Sequence, residues 1–200
     1  MTWIKTIKFK EATGSLLKLY NQVKGPDNNI DNIMQAHSLR PHTMQGHMTL
    51  YKYVLHHPKN TIDKWFLECI GVYVSILNHC HYCVDHHFTG MSRLIGDQNK
   101  SDAIKEELVS GIHYVLDEKQ IIALDYAKTL TIDPASLNTE IIDSMRQLGW
   151  NDGEILEMNQ VAAYFNYANR TVLGLGITIE GDDVGLSPNN SDDLNDWNHS

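Results

Sequence analysis

The sequence predicts an all-α fold organised as one domain. Three observations lead there: apolar residues recur at helical spacing, no stretch alternates apolar and polar residues as a half-buried strand would, and the polar breaks are too short for domain linkers. A chain of 200 residues can bury a substantial core without a second lobe.

The elements follow in order. Leu16 to Val23 carries a short helical pattern, stopped by the turn formers Gly25-Pro26-Asp27-Asn28-Asn29. A second helix is expected from Ile30 to Leu39. Pro41 suits the first turn of a third, which places Met44, Met48, Tyr51 and Leu55 at helical spacing and closes at His56-His57-Pro58. Thr61 is expected to cap the next segment, where Ile62, Trp65, Phe66, Cys69, Tyr73, Ile76 and Leu77 give the clearest i, i+3, i+4, i+7 pattern in the chain. A helical stretch after Asn78 reaches about Ile95, and Gly96-Asp97-Gln98-Asn99 reads as a turn. Ser101 to Ser110, Glu118 to Leu130, Thr139 to Leu148 and Glu154 to Leu173 complete the set. Residues 1–180 form the predicted helical domain. Residues 181–200, rich in Asp, Asn, Gly and Ser, read as a polar C-terminal arm, loose or wrapped around another subunit.

Hydrophobic residues at 42% and charged residues at 20% are those of a folded globular protein rather than a disordered one. The net charge of −9, with no Lys/Arg cluster, argues against nucleic acid or an anionic membrane surface as partner. The N-terminal residues lack the apolar region of a signal peptide, and no apolar run approaches the ~20 residues that span a bilayer, so a cytoplasmic location is expected. Three cysteines, two of them in Cys80-His81-Tyr82-Cys83, do not make the disulfide framework of a small secreted domain. A reactive or metal-binding pair is the better reading.

Cys80 and Cys83 stand at i and i+3, so in the first turn of a helix their Cα atoms can approach the ~5.5 Å a disulfide needs. A helix N-terminus also favours the thiolate. His87 follows Cys83 by four residues and falls on the same face. Glu68, Gly71 and Ser75 form one line along the preceding helix. An ordinary amphipathic helix would leave that line in water, whereas on a mostly buried helix Glu68 becomes a desolvated proton carrier. On one straight helix Glu68 and His87 would lie about 29 Å apart. A reversal near Asn78, a residue suited to a left-handed cap, would set them level across an antiparallel pair and order Glu68, His87, Cys83 and Cys80 as a proton path. Cys69 reads as an inert core thiol. His79, His81 and His86 read as surface or hydrogen-bonding histidines, with only one of His86 and His87 on the Cys83 face.

Glu68, eleven residues, Cys80-His81-Tyr82-Cys83, three residues and His87 together resemble the signature of the AhpD-like alkylhydroperoxidases of the carboxymuconolactone decarboxylase superfamily. The resemblance is nearest to the branch called peroxidase-related enzymes, with Tyr before the second Cys and the His86-His87 pair after it. Ala36-His-Ser-Leu-Arg-Pro41, Tyr164-Phe-Asn-Tyr-Ala-Asn-Arg170 and Leu173-Gly-Leu-Gly176 are similar to that branch too, so the likeness spans residues 30–180. It implies a single-domain helical bundle with the C-x-x-C at a helix N-terminus. It further implies a thiol-dependent peroxidase in which Cys83 attacks an organic hydroperoxide or hydrogen peroxide, Cys80 resolves the product as a disulfide, and Glu68 and His87 relay protons. An external thiol or lipoyl-type reductant protein would reset the disulfide, no haem or flavin is implied, and a homo-oligomer is expected. The sequence departs from the best-studied members at Tyr82, where they carry a second relay His; Tyr titrates near ~10 and would donate a hydrogen bond rather than shuttle protons. Two other readings of the same residues are a general disulfide oxidoreductase and a metal site using Cys80, Cys83 and His87. Carboxymuconolactone decarboxylation does not call for a C-x-x-C.

Overall fold

Apolar periodicity and well-made caps set the helices in the computed structural model, which describes residues 2–25 and 28–185. The α-helices run in the order α1 Gly14–Val23, α2 Asn32–Ala36, α3 Pro41–Leu55, α4 Lys64–Leu77, α5 His81–Ile95, α6 Gln98–Ser110, α7 Glu118–Ile132, α8 Thr139–Gln147 and α9 Asp152–Gly174, with short 3₁₀ turns at Phe9–Glu11 and Pro134–Ser136. No strand occurs among the described residues. The fold is therefore all-α and a single domain, as predicted.

Several boundaries differ from the expectation for identifiable reasons. Helix α4 is preceded by Asp63, not by Thr61, whose backbone N–H and hydroxyl instead donate to Glu157 of α9. The expected turn at 96–99 is shorter, because the Asp97 side chain accepts from the Lys100 N–H and starts α6 at Gln98. Reciprocal capping boxes, Asp117 with Gln120 and Asn151 with Glu154, fix the starts of α7 and α9. The helix expected over residues 30–39 shortens to Asn32–Ala36.

Helix α4 lies at the centre, packed against α5, α9, α7, α6 and α3. Its buried residues include Phe66, Leu67, Cys69, Ile70, Val72 and Val74, joined in one core by Tyr20, Met44, Met48, Leu55, Leu124 and Phe165. Gly71 lets α9 approach: a Cβ there would stand about 2.1 Å from the Phe165 ring. The chain reverses between α4 and α5 through paired capping bonds, Cys80 N–H to Ser75 O at 2.9 Å and His79 N–H to Ile76 O at 3.0 Å. The left-handed residue of this cap is His79, at φ 57°, and not Asn78. Asn78 is used differently: its side-chain N–H donates to Asn166 and Asn169 and ties the reversal to α9.

The predicted arm begins inside an anchored segment. Asn32 holds the carbonyls of Thr178 and Glu180 through its side chain, and Arg93 donates to Gly185 O at 2.7 Å. Residues 181–185 are thus tied to α2 and α5, and 186–200 lie outside the described residues.

Candidate active site

Helices α4 and α5 place the predicted residues. Glu68 is 1% exposed, so the polar line along α4 is buried and faces its neighbours rather than water. His87 Nδ1 donates to Glu68 Oε2 at 2.7 Å. The carboxylate holds the ring proton on Nδ1 and leaves Nε2 as the basic nitrogen. The other carboxylate oxygen, Oε1, lies 3.5 Å from His56 Nε2, a partner the sequence did not single out. Ser75, further along the line, accepts from the Asn169 side chain at 3.1 Å.

Cys80 occupies the N-cap of α5 and Cys83 its first turn, both reduced and buried, with sulfurs 2.8 Å apart. The two thiols ionise unequally. Hydrogen bonding from the Cys83 side chain, helped by the Cys83 N–H at the open end of the helix, holds the Cys80 thiol below its ordinary value against the cost of burial. The same pairing, with burial, pushes the Cys83 thiol well above its own, eased by the Asn169 side chain. Of the two thiols, Cys80 is therefore the more easily ionised. Cys69 is buried in the core and its thiol is pushed up by desolvation and by Glu107.

Access divides the pair the other way. A cavity lined by Cys83, His87, His86, Tyr82, Asp31, Ile33, Met34, His47, Met48, Tyr51, Tyr164 and Ala168 reaches Cys83 and not Cys80. Water centres can occupy about 50 Å³ of it. His86 and His87 both line it, contrary to the expectation that only one would share the Cys83 face: they flank the opening, His86 leaning on the Tyr82 ring at 4.5 Å and His87 on Phe165 at 4.5 Å. His79 and His81 are exposed.

Tyr82 takes the role of donor. Its hydroxyl donates to Asp182 Oδ2 at 2.7 Å and accepts from the Ile33 N–H at 3.3 Å, and burial followed by the charges of Asp182 and Asp31 pushes its ionisation well up. Asp182, whose carboxylate also accepts from the Asn32 N–H at 3.0 Å, carries no sequence signal, because it lies in a segment that reads as an arm. The stretch 164–170 lines the cavity through Tyr164 and Ala168, with the Tyr164 ring 5.9 Å from Tyr51, while His37 of the stretch 36–41 stands behind the cavity-lining His47, ring to ring at 5.3 Å. Among the described residues no three His, Cys, Asp or Glu side chains group as a metal ion would require. No helix among them is long and apolar enough to cross a membrane.

No protein-family model matches the sequence, and no curated protein matches it. Solved structures do. A peroxidase-related protein from Silicibacter sp. TM1040 is 25% identical over 73% of this chain and 74% of its own, with a TM-score of 0.66. An alkylhydroperoxidase AhpD core protein from Ralstonia eutropha JMP134 is 16% identical with a TM-score of 0.75, covering 88% of this chain and 91% of its own. The chain has the AhpD-like fold. A third similar structure, the debrominase Bmp8 in complex with 2,3,4-tribromopyrrole, is 18% identical with a TM-score of 0.71 over 90% of this chain and 92% of its own. The AhpD-like fold thus hosts more than one activity, and fold alone does not assign this one.

Proposed function

We propose that the protein is a thiol-dependent peroxidase. The observation that carries the reading is the Glu68–His87 pair, standing beside a reduced Cys80–Cys83 pair of which one thiol opens on a small cavity. In the attacking step the Cys83 proton passes to His87 Nε2, and the Cys83 thiolate forms an S–O bond to the terminal oxygen of ROOH as the O–O bond breaks. The departing RO⁻ takes that proton from His87 Nε2, while Glu68 holds Nδ1–H, and leaves as ROH. Cys80 then attacks the Cys83 sulfenic acid, the S–S bond forms, and the hydroxyl group leaves as water with the Cys80 proton. An external dithiol, of thiol or lipoyl type, restores the pair. We further place the protein in the cytoplasm as a homo-oligomer, on its composition and family resemblance.

A general disulfide oxidoreductase would use the same cysteines but would not need a proton relay aimed at a departing oxygen. The test is mass spectrometry after one equivalent of peroxide, with Cys80→Ser to trap the intermediate. A Cys80–Cys83 disulfide in the wild type and a Cys83 sulfenate in the variant are expected. Unmodified thiols, or sulfenate on Cys80 in Cys83→Ser alone, would overturn the reading.

A further inference from the structure

The cavity wall opposite α5 holds a histidine that the relay does not use. His47, on α3, is 3% exposed and lines the same cavity as Cys83. Its Nε2 lies 3.4 Å from the Tyr164 hydroxyl, while its Nδ1 has no hydrogen-bond partner. An unmet polar atom at such depth costs about 1–3 kcal/mol, so a fold that keeps one beside a nucleophile retains it against a penalty.

The protonation state of this ring is settled by its surroundings. Burial, reinforced by His37 and His87 nearby, pushes His47 down to about 3, so it stays neutral throughout the physiological range. Tyr164 is held in its protonated form by burial, and when its hydroxyl donates to Nε2 the single ring proton of His47 sits on Nδ1. In that tautomer the unpartnered atom is an N–H donor in a preformed site. Its neighbour His37 is fixed in turn by its own Nδ1 on Thr43 Oγ1 at 2.7 Å.

Size limits what that donor can meet. One water needs roughly 10–15 Å³ of such space, and an engineered cavity that takes benzene measures roughly 150 Å³. About 50 Å³ matches hydrogen peroxide or a hydroperoxide of one or two carbons, and falls short of an aromatic ring.

We propose that His47 is a further catalytic residue of this cavity: its Nδ1–H binds the leaving oxygen of a small hydroperoxide while Cys83 attacks the terminal one. This rests on the peroxidase reading above and names its substrate class. The hydrogen bond strengthens as charge develops on that oxygen, and His87 then supplies the proton that completes the alcohol or water.

The test follows oxidation of the full-length reduced protein by hydrogen peroxide and by cumene hydroperoxide, in wild type, His47→Ala and His47→Asn. Methylation of Cys83 by methyl iodide, which offers no oxygen to bind, is measured in parallel. Hydrogen peroxide should outpace cumene hydroperoxide in the wild type. His47→Ala should slow the peroxide reaction about 100-fold, and His47→Asn, whose amide N–H can occupy the Nδ1 position, should recover at least about tenfold of it. Methyl iodide should react at similar rates with all three. A wild-type peroxide rate in His47→Ala, or an equal loss with methyl iodide, would show that His47 does not touch the oxygen. Cumene hydroperoxide as fast as hydrogen peroxide would overturn the size limit. Wild-type thiols inert to both peroxides yet oxidised by lipoamide disulfide would instead sink the peroxidase reading, and this inference with it.

Discussion

Glu68 and His87 lie 19 residues apart in the chain and 2.7 Å apart in space, joined across the reversal between α4 and α5. A carboxylate 1% exposed is costly to bury alone, and here His87 on one oxygen and His56 near the other compensate it. The two residues should act as a unit. Glu68→Gln and His87→Ala should each slow peroxide turnover about 100-fold, and the double variant should lose little more than either single one. Stopped-flow oxidation of the four proteins gives the comparison; fully multiplicative losses would mean two independent roles.

Tyr82 stands where the better-known AhpD-like enzymes place a relay histidine, and its hydroxyl is committed to Asp182 at 2.7 Å. Tyr82→Phe should therefore leave the peroxide rate within about tenfold of wild type, well short of the loss of a general acid. The segment from Thr178 to Gly185 should loosen, since a hydrogen bond to a carboxylate is worth about 1.5–3 kcal/mol. Hydrogen exchange at Asn32 and its neighbours reads the loosening. A relay-sized rate loss with unchanged exchange would reverse the assignment.

The sequence showed the pattern of α3 and α4, the reversal near residue 78 and the meeting of Glu68 with His87 across it, because each rests on spacing along two adjacent helices. It missed whatever depends on long-range packing. His47 lines the cavity from α3 and His56, just past the end of that helix, reaches Glu68, and each is unremarkable among its neighbours in sequence. Asp182 was hidden because a polar tail reads as loose until Asn32 is seen holding it. The same limit applies to the thiols: a helix N-terminus favours a thiolate, but the first-turn geometry eases ionisation at Cys80 while the cavity gives access to Cys83.

Gly71 couples the core to the relay. A methyl group there meets Phe165 at about 2.1 Å, and the Phe165 ring stands edge-on to His87 with centroids 4.5 Å apart. Phe165 is fully buried, so its ring has nowhere to swing. Gly71→Ala should cost about 1–3 kcal/mol of stability by overpacking and should lower activity by moving the His87 ring. Adding Phe165→Leu should restore part of both, as chemical denaturation and peroxide assays on the single and double variants would show. A Gly71→Ala protein with wild-type stability would mean that α9 yields more easily than its packing implies.

Asp31 is the carboxyl most disturbed by the anchored segment. It lines the cavity, and burial, with the charges of Asp182 and Asp183 outweighing part of the relief from His86 and His87, raises it from 3.8 to about 6. A carboxyl raised in the folded state holds its proton there after the unfolded chain has released it. Between about pH 4 and pH 6 the folded form thus binds more protons, and stability falls as the pH rises through that window. Below about 4 both states are protonated and the penalty is absent; above about 6 it is fully present, on the order of 2–3 kcal/mol from the size of the shift. Asp31→Asn removes the charge but keeps the shape, so it should stabilise the protein by that amount at pH 7.5 and leave it nearly unchanged at pH 4. Denaturant midpoints at the two pH values measure the difference. An equal effect at both would assign the gain to packing or to a new amide contact with Asp182, and not to the buried charge.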